Sequence, residues 1–429
     1  MNSLLLKKAH ALLDVCSGKV TNGASLYAEE GVVQGIFDGP STGMKRDYII
    51  DCQNKIVVPG LGNAHTHLPM TLFRGLADDS PLEVWLKQRI WPLEHALKPQ
   101  HVKAGAELGL VEMIKNGVTA FADMYFYEDI VVASTLKAGL RIFSTPAIFD
   151  YEFKHSTLKD ALKIVESGLR DPKIRWGLGP HSTYMCNDET FEMIKEASER
   201  ENLRVHTHLA ESRWSQTGCE KKHGKRETNF LADHGLLSPK LSAAHAVWTT
   251  KEEIRLLGET GSHVVFCPVS NMKLAEGGVA PVPEFLEAGV KVCFGTDGPA
   301  SNNSLNVFET VKIGSLLIKH SRWDPSLLKA QLALQMTTEW AYECMGFPGH
   351  GLGVGCVADF FTVDLKTPSM RGPNTVPFAN CLVYANPTVK DVVVEGKPVM
   401  LDQRIQTLDE DKVLENFEKA VSDLQIGLE

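Results

Sequence analysis

Eight short apolar runs, each followed by a helix-like stretch, restrict the fold of this 429-residue chain more than any other feature. They are "LGNAHTH" (61–67), "VTAFADM" (118–124), "LRIFSTPA" (140–147), "IRWGLGPH" (174–181), "LRVHTHLAE" (203–211), "KLSAAHA" (240–246), "HVVFCPVSN" (263–271) and "VKVCFGTDG" (290–298). Between them lie helix-like segments such as "HVKAGAELGLVEMIKNG" and "DETFEMIKEASEREN". This order predicts an α/β fold built on a (β/α)8 barrel of the TIM type. An open doubly wound sheet usually has fewer strands and a phosphate-type glycine loop, which this sequence lacks. Residues 1–58 instead alternate β-like runs with turns, and a similar texture returns in "GCVADFFTVDL", "CLVYANP" and "VKDVVVEGKPVML". The expected organisation is a barrel over 59–354 beside a small β-sandwich domain. That domain would combine 1–58 with 355–429, the latter also carrying a C-terminal helix.

The formal net charge of −9 and the lack of a basic run argue against nucleic acid or an anionic membrane as partner. Nine cysteines are scattered without a CxxC pair, which suits the reduced thiols of a cytoplasm. In "MNSLLLKKAH" the apolar run is short and its lysines follow it, so it reads as an opening strand rather than a signal peptide. No stretch approaches the roughly 20 apolar residues of a membrane span. A cytoplasmic enzyme acting on a small molecule is expected, and as a homo-oligomer.

Barrel enzymes place their chemistry at the C-terminal ends of the strands. Here the first run ends in His65 and His67, the fourth in His181, and the fifth in His208 followed by Glu211. The sixth ends in His245 and the eighth in Asp297. Residues i and i+2 of a strand share a face, so His65 and His67 point the same way. Three imidazoles and a carboxylate suit Zn2+ or Fe2+, which makes His65, His67, His208 and Asp297 the ligand candidates and leaves a position for water. A divalent cation lowers the pKa of bound water to ~7. Glu211 is then placed to shuttle a proton, and His245 to orient the nucleophile. His206 reads as structural, and Cys267 and Cys293 as small core hydrophobes.

"PGLGNAHTH", "VHTHLAES" and "GTDGPASNN" resemble three signatures of the amidohydrolase superfamily, in its mononuclear aminohydrolase branch. Further stretches resemble the deaminases of 5-methylthioadenosine and S-adenosylhomocysteine: "MTLFRGLADDSPLEVWLKQRIWPLEHAL", "GPHSTYMCND" and "CPVSNMKLAEGGVAPVPEFLEAGVKVCFGTDG". The resemblance implies one Zn2+ per chain, with Fe2+ as the alternative, on His65, His67, His208 and Asp297. It further implies that Asp297 takes a proton from the attacking water, that His245 contacts that water, and that Glu211 protonates the purine ring nitrogen. Glu94 of "WPLE" would hold the ribose hydroxyls, His181 of "GPHS" would contact the purine, and Ser301 would also meet the substrate. Without the resemblance, Glu94 reads as an exposed helix residue.

The implied reaction is hydrolytic deamination of a 5′-modified adenosine to the inosine analogue and ammonia. Guanine, an aminotriazine or aminofutalosine is the alternative substrate on the same framework. A barrel keeping its metal for structure alone would need neither Glu211 nor His245. Two departures matter. Binuclear relatives use a carboxylated lysine at the end of strand four, where this chain has "GLGPHS", with Lys173 at the opposite end. Some members carry an Arg at the position of Pro146, where it pairs with the homocysteine carboxylate. Lys154, His155 and Lys159 occupy the next loop as candidate replacements.

Overall fold

The computed structural model describes residues 3–39, 46–76, 78–347, 349–371 and 377–425. The outer limits of the expected 1–58 and 355–429 segments therefore lie outside the described residues. Eight parallel strands pair in chain order: Leu61–Thr66, Val118–Asp123, Arg141–Ser144, Ile174–Pro180, Arg204–Leu209, Leu241–His245, His263–Phe266 and Val292–Phe294. Every residue of the first, second, third, sixth, seventh and eighth strands is buried. Strands covered on both faces read as continuous apolar runs rather than alternating ones, which is why all eight stand out in the sequence.

The eighth strand meets the first. Asp297 N–H donates to the His65 carbonyl at 3.0 Å, and Thr296 N–H donates to Asn63 Oδ1 at 2.9 Å. Asn63 Nδ2 returns a bond to Thr296 Oγ1 at 2.7 Å. Gly60 precedes the first strand because a Cβ there would collide with Thr119 of the second.

Several ends differ from the sequence reading. The seventh strand stops at Phe266, not 271, because Pro268 opens the helix Pro268–Lys273. The fifth stops at Leu209, where Ala210 turns with φ 46°. After the third strand, a two-residue strand Ala147–Ile148 pairs with Ile174–Pro180, separated from Ser144 by a stretch containing Pro146. "CLVYANP" lies largely in a helix, Phe378–Tyr384, not in a β-run. Its buried residues Ala379, Leu382 and Val383 have the i, i+3, i+4 spacing of a helix face, and Pro377 stands at its N-cap.

The terminal segments build two further sheets. One has the order Val32–Phe37, Ser25–Glu29, Ser3–Lys7, Tyr48–Asp51. The other runs Arg404–Ile405, Lys397–Leu401, Val389–Val394, Phe360–Asp364, Lys55–Pro59, Ala11–Leu13, Val20–Asn22. Leu4, Leu6, Leu26 and Val33 of the first pack with Leu12, Val57, Phe360 and Val393 of the second. The C-terminal helix Glu410–Asp423 lies on the barrel helix Pro99–Lys115, where His101 Nε2 meets Asp423 Oδ2 at 2.6 Å and Lys115 meets Glu410 at 2.7 Å. No helix among the described residues is long and apolar enough to cross a membrane.

A buried ion pair ties barrel to sheet. Arg141 of the third strand donates to both Asp359 oxygens, at 2.5 and 3.2 Å, and Asp359 also accepts from Tyr342 at 3.0 Å and from Glu395 N–H at 2.8 Å. Removing one partner of such a pair strands the other charge in the interior. Asp359→Ala should cost about 3–5 kcal/mol in denaturant unfolding. A loss below about 1 kcal/mol, the level of a surface pair, would mean that the junction does not depend on it.

Candidate active site

At the C-terminal mouth of the barrel the sequence-predicted ligands converge. His67 Nε2 lies 3.2 Å from His208 Nε2 and 3.3 Å from Asp297 Oδ1, and His65 Nε2 lies 3.5 Å from the same oxygen. A tetrahedral shell with bonds of about 2.0–2.1 Å has edges of about 3.3 Å, so this spacing fits a single divalent ion. Each ring is turned by its other nitrogen. His67 Nδ1–H donates to the Met124 carbonyl at 2.6 Å and His208 Nδ1–H to the His181 carbonyl at 2.7 Å. His65 Nδ1 meets His206 Nε2 at 2.7 Å, and His206 Nδ1 passes the contact on to Ser242 Oγ. Protons held on the Nδ1 side leave the Nε2 lone pairs facing inward, as metal-binding imidazoles require. His65 Nε2 is fully buried with no hydrogen-bond partner, the condition of an atom whose partner is an ion.

Asp297, in a left-handed conformation with φ 63°, accepts at Oδ2 from Ser270 at 2.5 Å and Ser301 at 2.9 Å, and at Oδ1 from Gly298 N–H at 2.6 Å. Burial alone would raise its pKa, but the adjoining His65, with His67 and His245, holds it well below the usual carboxylate range. The imidazoles are also shifted down, which for them favours the neutral form. Burial depresses His208 and His206 well below the usual histidine value and pushes His181 and His245 down to about 3.

Glu211 Oε1 stands 3.6 Å from His245 Nε2, and Asn271 holds His245 Nδ1 at 2.9 Å. Burial first, and then the charges of Glu276, Asp297 and Glu227, raise the Glu211 carboxyl well above its ordinary value. Glu94 is only 8 % exposed, against the expectation of an exposed helix residue, and burial pushes it up to about 7 against the opposing effect of Tyr125. It comes just after a π-helical turn, Trp85–Ile90, in which Trp91 N–H reaches back to the Leu86 carbonyl. That extra residue per turn is a recurrent device for re-aiming a side chain at a site.

One cleft is lined by His67, His208 and Asp297 together with Glu94, His181, Glu211 and Ser301. Its remaining wall is apolar, with Leu82, Trp85, Leu86, Phe126 and Phe149, and among the described residues no Lys or Arg lines it. Lys154, His155 and Lys159 are exposed outside it. The Ser301 hydroxyl is already committed to Asp297. Sequence reading did not foresee Ser270 and Asn271 as partners of Asp297 and His245, nor His206 as the partner of His65. The signals were slight: Ser270 and Asn271 lie just beyond the seventh strand, and His206 shares a face with His208 within the fifth.

The sequence profile of the amidohydrolase family matches residues 56–399. This chain belongs to the amidohydrolase family. Among similar amidohydrolases is the 5'-deoxyadenosine deaminase of Methanosarcina acetivorans, 37% identical over 432 residues and covering 99% of each chain. The 5-methylthioadenosine/S-adenosylhomocysteine deaminase of Pyrococcus furiosus is 36% identical, covering 93% of this chain and 96% of its own. The crystal structure of an adenosine deaminase from Xanthomonas campestris with bound zinc superposes with a TM-score of 0.94 at 30% identity, covering 99% of each chain.

The spacing of this amidohydrolase cluster depends on Gly295. A Cβ there would lie 2.8 Å from His65 Cβ and 2.8 Å from Val265 Cγ1. Gly295→Ala should displace the His65 ring and lower both Tm and the metal content of purified protein, read by elemental analysis. Full metal content in the folded variant would mean that His65 yields without leaving the cluster.

Proposed function

We propose that this amidohydrolase is a deaminase of adenosine derivatives with an uncharged 5′ group, such as 5′-deoxyadenosine or 5′-methylthioadenosine, releasing ammonia and the inosine analogue. The observation that carries the reading is Glu94, a buried carboxyl in the same cleft as Glu211 and the His/Asp cluster. A carboxylate accepts two hydroxyl hydrogen bonds, which suits a ribose diol, and a free base has no ribose to offer it. The apolar wall and the lack of a lining cation favour an uncharged 5′ substituent over an amino-acid tail. The name of the Methanosarcina relative, a 5'-deoxyadenosine deaminase, points the same way, while that of the Pyrococcus relative includes S-adenosylhomocysteine and supports only a 5′-modified adenosine.

His65, His67, His208 and Asp297 would hold one zinc ion, a reading supported by the donor set and by the zinc in the Xanthomonas structure. Bound there, the metal would activate water for addition to the purine C6. The rest falls to the side chains. Glu211, whose burial favours its protonated form, gives its proton to N1 and regains one for transfer to the departing amino group. His245 stays neutral and orients the attacking water, while the ionised Asp297 accepts its proton. His181 meets the purine. We also propose a cytoplasmic location and a homo-oligomer.

Glu211→Gln should retain metal and lose about 10²- to 10⁴-fold in kcat, because an amide cannot take and return a proton. Near-normal turnover of the loaded variant would remove Glu211 from this role. In a kcat/KM series, the uncharged 5′-modified adenosines should match or exceed S-adenosylhomocysteine, and Glu94→Ala should penalise every nucleoside. A tenfold preference for S-adenosylhomocysteine would mean that some cation reaches the 5′ end. Preference for guanine or a triazine, with no effect of Glu94→Ala, would overturn the nucleoside reading.

A further inference from the structure

The turn that delivers Glu211 is held by a residue outside the cleft. Ala210 lies between Leu209, the last residue of the fifth barrel strand, and Glu211, with φ 46°. A side chain with a Cβ resists this left-handed conformation, so the turn persists only where its surroundings impose it. Both peptide groups of Ala210 are engaged. Its carbonyl accepts from Trp248 N–H at 2.9 Å, and its N–H donates to Glu227 Oε2 at 3.0 Å.

Glu227 begins the helix Glu227–Asp233 and is 1 % exposed. The adjacent Arg226 is turned away, to Glu220 and Glu253. The other Glu227 oxygen, Oε1, is buried with no hydrogen bond of good geometry among the described residues, and the Ser215 and Thr183 hydroxyls lie beside the carboxyl. A carboxyl buried without a counter-charge is unfavourable for packing, and Leu or Met would fill such a site at lower cost. What a hydrocarbon cannot supply is the acceptor for Ala210 N–H.

We propose that Glu227 is a positioning residue, which fixes the Ala210 turn and so aims the Glu211 carboxyl at the substrate and at His245. This inference rests on the reading of Glu211 as the proton carrier. It assigns the role to the reach of an acceptor oxygen and not to charge, and two substitutions separate these. Glu227→Gln keeps both length and an acceptor. Glu227→Met keeps the length and shape but removes the acceptor.

Glu227→Met should hold its Tm and metal content and lose about 10- to 100-fold in kcat with little change in KM, the size of effect that a misplacement of about 1 Å produces. Glu227→Gln should stay close to wild type. In the Glu211→Gln background, Glu227→Met should cost nothing more, because two residues acting through one group are not additive. If the Met variant fails to fold, Glu227→Asp, which keeps the carboxyl but falls short of Ala210, should show the same loss. The role is overturned if Gln falls as far as Met, if the loss appears in metal content or KM, or if it adds in full to Glu211→Gln. Equal kcat in all variants overturns it while leaving the nucleoside reading intact. If wild type deaminates only another heterocycle, the nucleoside reading fails and the same comparison runs on that substrate. If it releases ammonia from none, both fall.

Discussion

The bond from Asp297 N–H to the His65 carbonyl joins the two ends of the barrel, and it joins them at two of the ligand-type residues. Strand eight contains only Val292–Phe294, so its grip on strand one depends on the residues just beyond Phe294. Asn63 provides that grip by using both halves of its amide on Thr296, at 2.7 and 2.9 Å. Once these contacts form, the 3.5 Å approach of Asp297 Oδ1 to His65 Nε2 is a result of backbone geometry. The site is thus a product of barrel closure, and the residues nearest in space are among the farthest apart in the chain.

The cluster also sorts its protons by environment. Burial favours the neutral form of His65, His181, His206, His208, His245 and Glu211, which suits imidazoles that offer lone pairs and the proton-carrying role proposed for Glu211. Asp297 escapes that rule because His65, with His67 and His245, holds its pKa down, while Ser270, Ser301 and Gly298 N–H donate to its oxygens. Two carboxyls in one cleft are therefore pushed in opposite directions, one toward giving a proton and the other toward taking it.

All eight barrel strands, and the convergence of His65, His67, His208 and Asp297 at their ends, were legible in the sequence, for a physical reason. Parallel strands covered on both faces must be continuously apolar, and His65 and His67 share a face by strand geometry alone. Strand ends were less legible. Where Phe266 gives way to Pro268, and Leu209 to a left-handed Ala210, the apolar pattern runs on while the backbone turns. "CLVYANP" was too short for its helical period to show against its β-forming residues. The partners were hidden altogether: that His206 would bond His65, or Glu227 the peptide before Glu211, depends on which strands and helices become neighbours. Glu94 was legible only through resemblance, because its burial depends on a π-turn that local propensity does not specify.

Strand Lys55–Pro59 has a parallel neighbour close in sequence, Ala11–Leu13, and an antiparallel one, Phe360–Asp364, beyond the whole barrel. On a ribosome moving at ~5–20 residues per second, the second partner emerges about 15–60 s after the strand itself. Through that interval one edge of the strand, including Val57 and Val58, stands open, and an unpaired apolar edge invites association with other chains. The half-built sheet cannot finish until the last barrel strand has left the ribosome. For this chain the dangerous period of folding is set by the order in which its strands are synthesised, and protection by a chaperone is needed most while the barrel is still being made.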